Sequence, residues 1–305
     1  MRTLALLAGL AALAGCGAPK PAPAAAEAQA FRLPDDPRVG VYVSRPWGFT
    51  TSSYWVEGPD GLIVIDTQFL PSAAADLIQR AEALTGKPVK LAVVLHPNPD
   101  KFNGTATFQA HGVKVVTSAQ VAALIPAIHT QRHGRFYADH QPDYPNETPT
   151  PEVFGDATMP LSAGGVTVTA HVLDGPGCSR AHVVVTFDGH AFVGDLVASQ
   201  HHGWLEIGET RAWQARLEEI AAWKPRFVHP GRGKSGSAAL LAEMAAYLQE
   251  AIDRVKAARA TEPDGKAAMA RAIQAMEAAH PTYGYRYFLQ IGVPAEWRRQ
   301  EAGGQ

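Results

Sequence analysis

The chain has 305 residues, of which 46% are hydrophobic and 18% are charged, a composition that suits one large or two small globular domains. Its formal net charge is −2, and its 27 lysines and arginines are scattered along the sequence. This pattern excludes the concentrated basic surface that nucleic acid or an anionic membrane requires, so we expect no nucleic-acid partner.

The first 15 residues have the pattern of an export signal. Arg2 gives the positive start, and residues 4–14 form an apolar run that is too short to span a bilayer. The run ends in Leu13-Ala14-Gly15-Cys16, which resembles a bacterial lipobox. The sequence therefore predicts a lipoprotein signal peptide over 1–15 and lipidation of Cys16. An ordinary secretory signal followed by a chance cysteine is the alternative.

Residues 16–35 are predicted to be a flexible tether, because the segment is rich in Ala and Pro and has few large apolar groups. Gly17, directly after the predicted lipidation site, permits placement in the outer membrane. We therefore expect a protein of the cell envelope that is held by its N-terminal lipid, on the periplasmic face of the outer membrane. Cys178, the other cysteine of the chain, then has no disulfide partner.

In the first half of the chain, short apolar runs between turn residues predict strands. These strands are 39–43, 53–56, 62–65, 89–95 and 113–117. Apolar residues at helical spacing predict helices over 73–84 and 105–110. Residues 126–151 are rich in His, Pro and polar residues, and they are predicted to be a long surface loop.

The second half repeats this order. Its predicted strands are 166–169, 182–187, 190–193 and 226–228, with a hairpin turn at Asp188-Gly189. Its predicted helices are 210–223, 240–255 and 266–279. The pattern fits two sheets between helices, and composition and periodicity alone limit the fold to α/β or α+β. The aromatic segment 283–288 suits either a cover over a cleft or a partner surface.

Four separated parts of the sequence resemble motifs of the metallo-β-lactamase superfamily. They are Gly61–Thr67, His96–Lys101 with Asn103-Gly104, Gly175–Ser179, and Phe192–Leu196 followed by Pro230–Gly233. The resemblance implies a four-layer αββα sandwich over residues 36–236, with a C-terminal helical extension over 237–305.

The resemblance also implies a metal-binding pocket, in which several ligand positions have changed. His96, Asp100 and Asp195 keep the ligand type of the superfamily. Four other positions, where the superfamily has histidine, hold Asn98, Lys101, Cys178 and Arg232. All seven residues are therefore expected to line the pocket.

These replacements limit the metal chemistry that is expected. A first zinc ion would have His96 and Cys178 as good ligands and only the neutral amide of Asn98 as a third. At the second position Asp100 and Asp195 face two cations, and a dication there would be repelled by about 4 kcal/mol per unit-charge pair. We therefore expect no metal or one zinc ion, with His96, Cys178, Asp100 and Asp195 as the candidate ligands. A buried salt-bridge network is expected in place of the second ion.

Other residues near these motifs have more ordinary interpretations. Asp66 is expected to support a loop beneath the pocket. Three histidines could in principle refill the metal site, but they are expected at the surface or the rim: His201, His202 and His229. Three aromatic residues could form an apolar wall of the pocket: Phe136, Tyr137 and Trp204. Cys178 itself is of a residue type that is more often a small buried apolar group than a reactive thiol.

Three functions remain open at this point. The first is a non-hydrolytic binding or accessory protein that has kept the cleft. The second is a single-zinc hydrolase of ester, amide or thioester substrates that uses His96 and Cys178. The third is a thiol hydrolase in which His96 deprotonates Cys178. In all three the partner is a small molecule, and the candidate catalytic groups are Asp100 and Cys178.

Overall fold

The computed structural model describes residues 27–303. The predicted signal peptide and Cys16 lie outside these residues. Among the helices of residues 27–303, none has the length and apolar character that a membrane span requires.

The first sheet, within the described residues, has seven strands in chain order across the sheet. They are β1 (Gln29–Leu33), β2 (Asp36–Val43), β3 (Ser52–Glu57), β4 (Leu62–Ile65), β5 (Val89–Val93), β6 (Lys114–Ser118) and β7 (Glu152–Gly155). Strands β1 to β4 pair antiparallel, and β4 to β7 pair parallel. The central strand β4 is an unbroken apolar run that is fully buried, as expected of a strand covered on both faces.

The second sheet has five strands within residues 27–303, in the order β12-β11-β10-β9-β8. They are β8 (Met159–Ala163), β9 (Val166–Leu173), β10 (His182–Phe187), β11 (His190–Ala198) and β12 (Phe227–Arg232). The pairs are antiparallel except β11 and β12, which run parallel. This parallel pair brings the ends of two distant segments to one edge of the sheet.

Helices cover the outer faces of both sheets. The helices of the first half are α1 (Pro71–Thr85), α2 (Pro99–Phe102), α3 (Thr105–Ala110) and α4 (Ala119–His140). Those of the second half are α5 (Thr210–Ala222), α6 (Ala239–Thr261), α7 (Gly265–Ala279) and α8 (Leu289–Ala302). Short 3-10 helices occur at Pro46–Gly48 and Arg286–Phe288. Helix α1 begins with Pro71 and ends before Gly86, whose positive φ closes the helix.

The hydrophobic core confirms the predicted four-layer αββα sandwich. One apolar cluster joins the two sheets to α1 and α4, and a second joins the outer face of the second sheet to α5 and α6. Helices α6, α7 and α8 then pack on one another around Val255 and Ala272. The predicted C-terminal extension is therefore helical, but its first helix, α6, is part of the outer layer of the sandwich.

Two sequence predictions are corrected by the structure. The predicted tether over 16–35 includes Gln29–Leu33, which forms β1 and pairs with β2. The predicted loop over 126–151 is helical up to His140, since these residues belong to α4. The buried residues of α4 recur at helical spacing, but they include the polar His129 and Arg132. A search for apolar residues at that spacing therefore does not detect the helix.

Candidate functional site

The site begins at the turn between β5 and α2, which Asp66 supports from below. Asp66 is buried and has a positive φ of 66°, and its Oδ1 accepts a hydrogen bond of 2.9 Å from the Leu95 amide. Burial raises the pKa of Asp66 to about 8, although nearby Lys101 acts in the opposite direction. Asp66 therefore holds the backbone that leads into the His96 turn, which is the structural role expected from the sequence.

The second part of the site comes from the parallel strands β11 and β12. Asp195 lies on β11, and Arg232 is the last residue of β12. Gly231 lets the two strands approach, because a Cβ at this position would lie 2.0 Å from Asp195 Oδ1 and 2.8 Å from its backbone nitrogen. Gly194, with a φ of 54°, makes the neighbouring bend.

Four side chains meet between the two halves of the fold and form an ion-pair network: Asp100, Lys101, Asp195 and Arg232. Lys101 Nζ lies 3.0 Å from Asp100 Oδ2 and 2.9 Å from Asp195 Oδ1. Arg232 Nη2 donates to Asp100 Oδ2 at 2.8 Å, and its Nη1 donates to Asp195 Oδ2 at 2.6 Å. The predicted salt-bridge network is therefore present.

The electrostatics of the network keep all four groups charged. Burial alone would lower the pKa of Lys101, but the carboxylates of Asp100 and Asp195 outweigh it and raise this pKa above its ordinary value. Burial would also raise the pKa of Asp195, but Arg232 and Lys101 hold it well below its usual range. The positive charges of two cations thus neutralise the negative charges of two carboxylates in a site from which water is largely excluded.

His96 lies beside the network without joining it. Its Nε2 is 3.8 Å from Asp195 Oδ2 and has no hydrogen-bond partner among the described residues, and its Nδ1 is 3.3 Å from Ser179 Oγ. Burial lowers the pKa of His96 to about 4, so the imidazole is neutral at pH 7.

Cys178 is buried and contacts a histidine that the sequence analysis did not single out. Its Sγ lies 3.9 Å from His182 Nδ1, while His182 Nε2 is 2.9 Å from the Ser179 carbonyl. Burial raises the pKa of the Cys178 thiol well above its usual value. His182 opens strand β10, so in the sequence it is indistinguishable from an ordinary strand residue.

A narrow cleft lies over the ion-pair network, with a volume of about 40 Å³. This is room for about three water molecules. Its lining combines aromatic and charged side chains: Phe49, Phe69, Asn98, Pro99, Asp100, Arg132, Phe136, Asp195, Trp204, Arg232, Tyr287 and Phe288.

Two features close the outer part of the cleft. Arg132 Nη1 donates to Glu206 Oε1 at 3.0 Å, and the Arg132 guanidinium lies 5.2 Å from the centre of the Trp204 ring. On the other side, Phe288 of the C-terminal segment lies under the Arg232 guanidinium, 5.5 Å from ring centre to Cζ. The aromatic segment 283–288 therefore covers the cleft, which is one of the two uses expected from the sequence.

Among the seven residues predicted to line the pocket, four line this cleft: Asn98, Asp100, Asp195 and Arg232. The other three, His96, Lys101 and Cys178, are buried and do not line it. Lys101 extends into the space between the carboxylates and fills it. Of the predicted aromatic wall, Phe136 and Trp204 line the cleft, whereas Tyr137 stacks on His133.

The three histidines expected at the surface or the rim have different environments. His202 is buried, with its Nδ1 2.9 Å from Tyr247 Oη, and His229 is also buried. Only His201 is half-buried, and its Nδ1 lies 2.7 Å from the Ser199 carbonyl. The rim prediction is therefore wrong for two of the three, because Tyr247 of α6 covers His202, while Tyr54 of β3 and Phe192 of β11 pack on His229.

The donor set does not fit a zinc centre of the kind that the resemblance implies. The ammonium of Lys101 and the guanidinium of Arg232 offer only donors, and both contact the carboxylates that would bind the second ion. Within residues 27–303, no three His, Cys, Asp or Glu side chains are grouped so as to hold a metal ion. The four candidate ligands His96, Cys178, Asp100 and Asp195 are thus not assembled into a metal site.

Comparison with known proteins agrees with the architecture. The chain is similar to a metallo-beta-lactamase from Pontibacter korlensis, with 21% identity, a TM-score of 0.58, and coverage of 73% of this chain and 99% of the other. It is also similar to the metallo-beta-lactamase FIM-1 from Pseudomonas aeruginosa in a mono-zinc form, with 18% identity, a TM-score of 0.57, and coverage of 75% and 98%. At these identities the likeness shows the fold alone.

A sequence profile described as the metallo-beta-lactamase superfamily matches residues 46–232, which is more than half of the chain and includes both His96 and Arg232. The matched range extends from the 3-10 helix between β2 and β3 to the end of β12. With its motifs, its two-sheet sandwich and this match, the chain belongs to the metallo-β-lactamase superfamily.

Proposed function

We propose that this protein uses its former metal cleft for non-hydrolytic binding of a small molecule. The observation that supports the proposal is the position of Lys101 Nζ, 3.0 Å from Asp100 and 2.9 Å from Asp195. The ammonium supplies the positive charge that a divalent ion would otherwise supply to these carboxylates. Unlike an ion, it has no free coordination position at which to activate water.

Neither of the two candidate catalytic groups has an environment that suits hydrolysis. Asp100, one of the two catalytic candidates, is held as a carboxylate between Lys101 and Arg232, so it cannot accept a proton at neutral pH. The other candidate, Cys178, is only 2% exposed, and its pKa is raised by burial, which opposes formation of a thiolate nucleophile. Neither the single-zinc nor the thiol mechanism is favoured by these environments.

The ligand that the cleft suits is small and planar. Aromatic side chains such as Phe136 and Trp204 form its walls, and the volume of about 40 Å³ admits only a small group. The Asn98 side chain lines the cleft and offers both an amide donor and a carbonyl acceptor. A short amide of about the size of three water molecules therefore matches the volume, the walls and the single neutral polar contact.

We further propose that the protein is exported and anchored to the membrane through a lipid on Cys16, as the sequence of residues 1–16 suggests. Cell fractionation tests this directly. The wild-type protein is expected in the membrane fraction and the Cys16→Ser variant in the soluble fraction. Recovery of both proteins in the same fraction would contradict the anchor.

The metal-free part of the proposal is tested by elemental analysis. Untagged wild-type protein, incubated with zinc and then dialysed, should hold well under one zinc ion per chain. The matched variant is Lys101→His combined with Arg232→His, which removes both cations and adds two ligands. This variant should bind more zinc than the wild type. A full equivalent of tightly bound zinc in the wild-type protein would overturn the proposal.

The binding part is tested with acetamide as a probe, because it combines one amide with a single methyl group and is small enough for a cleft of about 40 Å³. Saturation-transfer difference NMR should show transfer from the wild-type protein to the methyl protons of acetamide. The Asn98→Leu variant should lose this transfer, and Asn146→Leu, which changes an exposed amide outside the cleft, should retain it. Absence of transfer with the wild type, or equal transfer with Asn98→Leu, would contradict binding at the cleft.

A further inference from the structure

A second and much larger cavity lies on a different part of the molecule. Its volume is about 650 Å³, within the range of about 300–1,000 Å³ that is usual for small-molecule sites. It opens between β1 and β2 on one side and the turn after β12 on the other. None of its lining residues lines the cleft over the ion-pair network.

A continuous hydrogen-bonded chain of four side chains ends in this cavity. Asp36 Oδ2 lies 3.2 Å from His190 Nε2, and His190 Nδ1 lies 2.9 Å from His229 Nε2. His229 Nδ1 then lies 2.8 Å from Ser235 Oγ. Both histidines are 1% exposed, whereas Ser235 is only half-buried and lines the cavity.

The direction of the protons along this chain follows from the carboxylate at its start. Asp36 is ionised, because the hydrogen bonds from Arg38 hold its pKa well below its usual range, so His190 Nε2 must donate to it. His190 Nδ1 is then an acceptor, and His229 Nε2 donates to it. His229 Nδ1 is left as the acceptor for the Ser235 hydroxyl, which is the arrangement of a serine and its general base.

The turn that presents Ser235 is tightly determined. Gly233 has a φ of 86°, and a Cβ at this position would lie 2.0 Å from the Ser199 carbonyl oxygen. Gly236 and Val228 exchange two backbone hydrogen bonds of 2.8 and 3.1 Å, which close the turn on its far side. Within residues 27–303, the backbone N–H groups of Lys234 and Ser235 donate to no other backbone group, so we take them as the candidate donors to an oxyanion at the serine.

We propose that Ser235 is the nucleophile of a metal-independent ester hydrolase site, with His229 as its general base and with His190 and Asp36 as positioning residues. Ser235 Oγ attacks the carbonyl carbon of the ester as its proton passes to His229 Nδ1. The carbonyl π pair moves onto the oxygen and gives a tetrahedral oxyanion. When this pair returns to re-form the carbonyl, the C–O bond to the alcohol breaks, and the alcohol leaves with the proton that His229 holds. Water then adds to the acyl-serine by the same path and releases the carboxylic acid.

His190 links the base, His229, to the carboxylate of Asp36, which His229 does not contact directly. When His229 accepts the serine proton, its Nε2 proton can pass to His190 Nδ1, and the positive charge then lies against Asp36. Burial and the neighbouring His190 lower the pKa of His229 to about 3, so its imidazole is neutral at pH 7 and its Nδ1 has a free lone pair. Because His229 is a weak base, proton transfer from Ser235 requires that the Asp36 carboxylate, on the far side of His190, stabilise the imidazolium.

The lining of the cavity indicates the class of ester. Apolar side chains from β1, β2 and β3 form much of the wall, among them Phe31, Val41 and Tyr54. Arg226 and Lys234 also line the cavity and are exposed. The substrate that fits is an ester with an apolar acyl chain, which lies along the strands while its carbonyl group reaches Ser235.

The test is covalent labelling with an alkyl fluorophosphonate, in which the serine oxygen bonds to phosphorus and fluoride leaves. Intact wild-type protein in the presence of EDTA should gain one adduct, and peptide mapping should place it on Ser235. Ser235→Ala should remove the adduct. Ser237→Ala, which changes an exposed serine that lines the same cavity outside the hydrogen-bonded chain, should be labelled at the wild-type rate.

The base and the positioning residues are tested by the rate of the same reaction. His229→Gln should label at least about 100-fold more slowly, since general bases contribute about 10²–10⁴-fold. Asp36→Asn should also slow labelling, and Asp36→Glu, which keeps the charge, should recover much of the rate. Circular dichroism melts confirm that each variant is folded. Absence of an adduct on wild-type Ser235, or wild-type rates in folded His229→Gln, would overturn the proposal. Because EDTA is present throughout, neither result depends on the metal content of the other cleft.

Discussion

Lys101 and Asp195 form an ion pair across the interface of the two sheets, with 2.9 Å between Nζ and Oδ1 and no exposure of the lysine side chain. Lys101 comes from α2 in the first half of the fold, and Asp195 comes from β11 in the second. A lysine is rarely buried to this extent unless it is paired. The pair therefore accounts for the burial, and Asp100 and Arg232 complete the balance of charge.

Removal of the Lys101 charge should be strongly destabilising. In Lys101→Met the side-chain length is nearly kept, but Asp100 and Asp195 lose one of their two cations in a buried site. We expect the free energy of unfolding to fall by about 3–5 kcal/mol, as measured by urea denaturation. Lys114→Met, at an exposed pair with Glu152, should change it by less than about 1 kcal/mol. Equal effects of the two substitutions would contradict the role of the network.

A glycine substitution tests the close approach of β11 and β12. In Gly231→Ala the new Cβ would overlap Asp195 Oδ1 and the adjacent backbone, so the strands must separate. We expect a loss of at least about 1–3 kcal/mol in urea denaturation. Gly134→Ala is the matched control, because a Cβ there meets nothing within 4 Å and the residue lies within α4. It should instead stabilise the protein by about 0.5–1 kcal/mol. The opposite order of stabilities would refute this account of the site.

Acidification below pH 6.5 should destabilise the protein, because its buried histidines together outweigh the single carboxyl group of Asp66, whose raised pKa acts in the opposite direction. Burial lowers the pKa of eight described histidines below the ordinary 6.5. The largest shifts are those of His96 to about 4, His182 to about 3, His202 to about 4 and His229 to about 3. Between pH 6.5 and about 4 the unfolded chain therefore binds protons that the folded chain does not, so stability falls as the pH falls. Each such histidine contributes a slope of up to about 1.4 kcal/mol per pH unit.

Urea denaturation at several values from neutral pH down to about pH 4.5 measures this slope. His182→Gln removes one of the buried imidazoles and should make the dependence on pH shallower. An unfolding midpoint that stays constant over this range would show that the histidines are protonated equally in both states.

Alkylation tests the environment of Cys178. A Cys16→Ser variant leaves Cys178 as the only thiol of the chain. Because Cys178 is buried and its pKa is raised, iodoacetamide should react with the folded protein far more slowly than with the same protein in guanidinium chloride at the same pH. Rapid labelling of the folded protein would restore the thiol-hydrolase mechanism.

The ion-pair network could be predicted from the sequence because its four members lie in short motifs with a known spatial relation. Lys101 and Arg232 were recognisable as replacements for metal ligands only through the resemblance to the superfamily. Their convergence then followed from electrostatics, since two carboxylates in a buried site require two cations. Local periodicity also predicted most of the strands, whose apolar runs are buried as expected.

The helical part of 126–151 could not be predicted from its polarity. The buried side of α4 contains His129 and Arg132, and each has a polar partner: His129 meets the Pro145 carbonyl and Arg132 meets Glu206. These partners come from later in the chain, so the sequence of the helix alone looks like a surface loop. Tertiary hydrogen bonds here replace the apolar contacts that a periodicity search detects.

The chain from Asp36 to Ser235 was also invisible in the sequence. Its members come from β2, β11, β12 and the following turn, and the first and last are separated by most of the folded domain. Each residue is ordinary by itself, and Asp36 was even placed at the boundary of the predicted tether. Only the pairing of β11 with β12 and the position of β2 bring the four side chains into line.

The position of Lys101 and Arg232 also has a consequence for how the protein matures. Where an ion joins two halves of a fold, assembly depends on delivery of that ion and can be reversed by a chelator. Here the joining charges belong to the polypeptide itself, so the junction closes in the same event as folding. Under the proposed metal-free function, we therefore expect the folded state to be independent of the zinc supply of its surroundings.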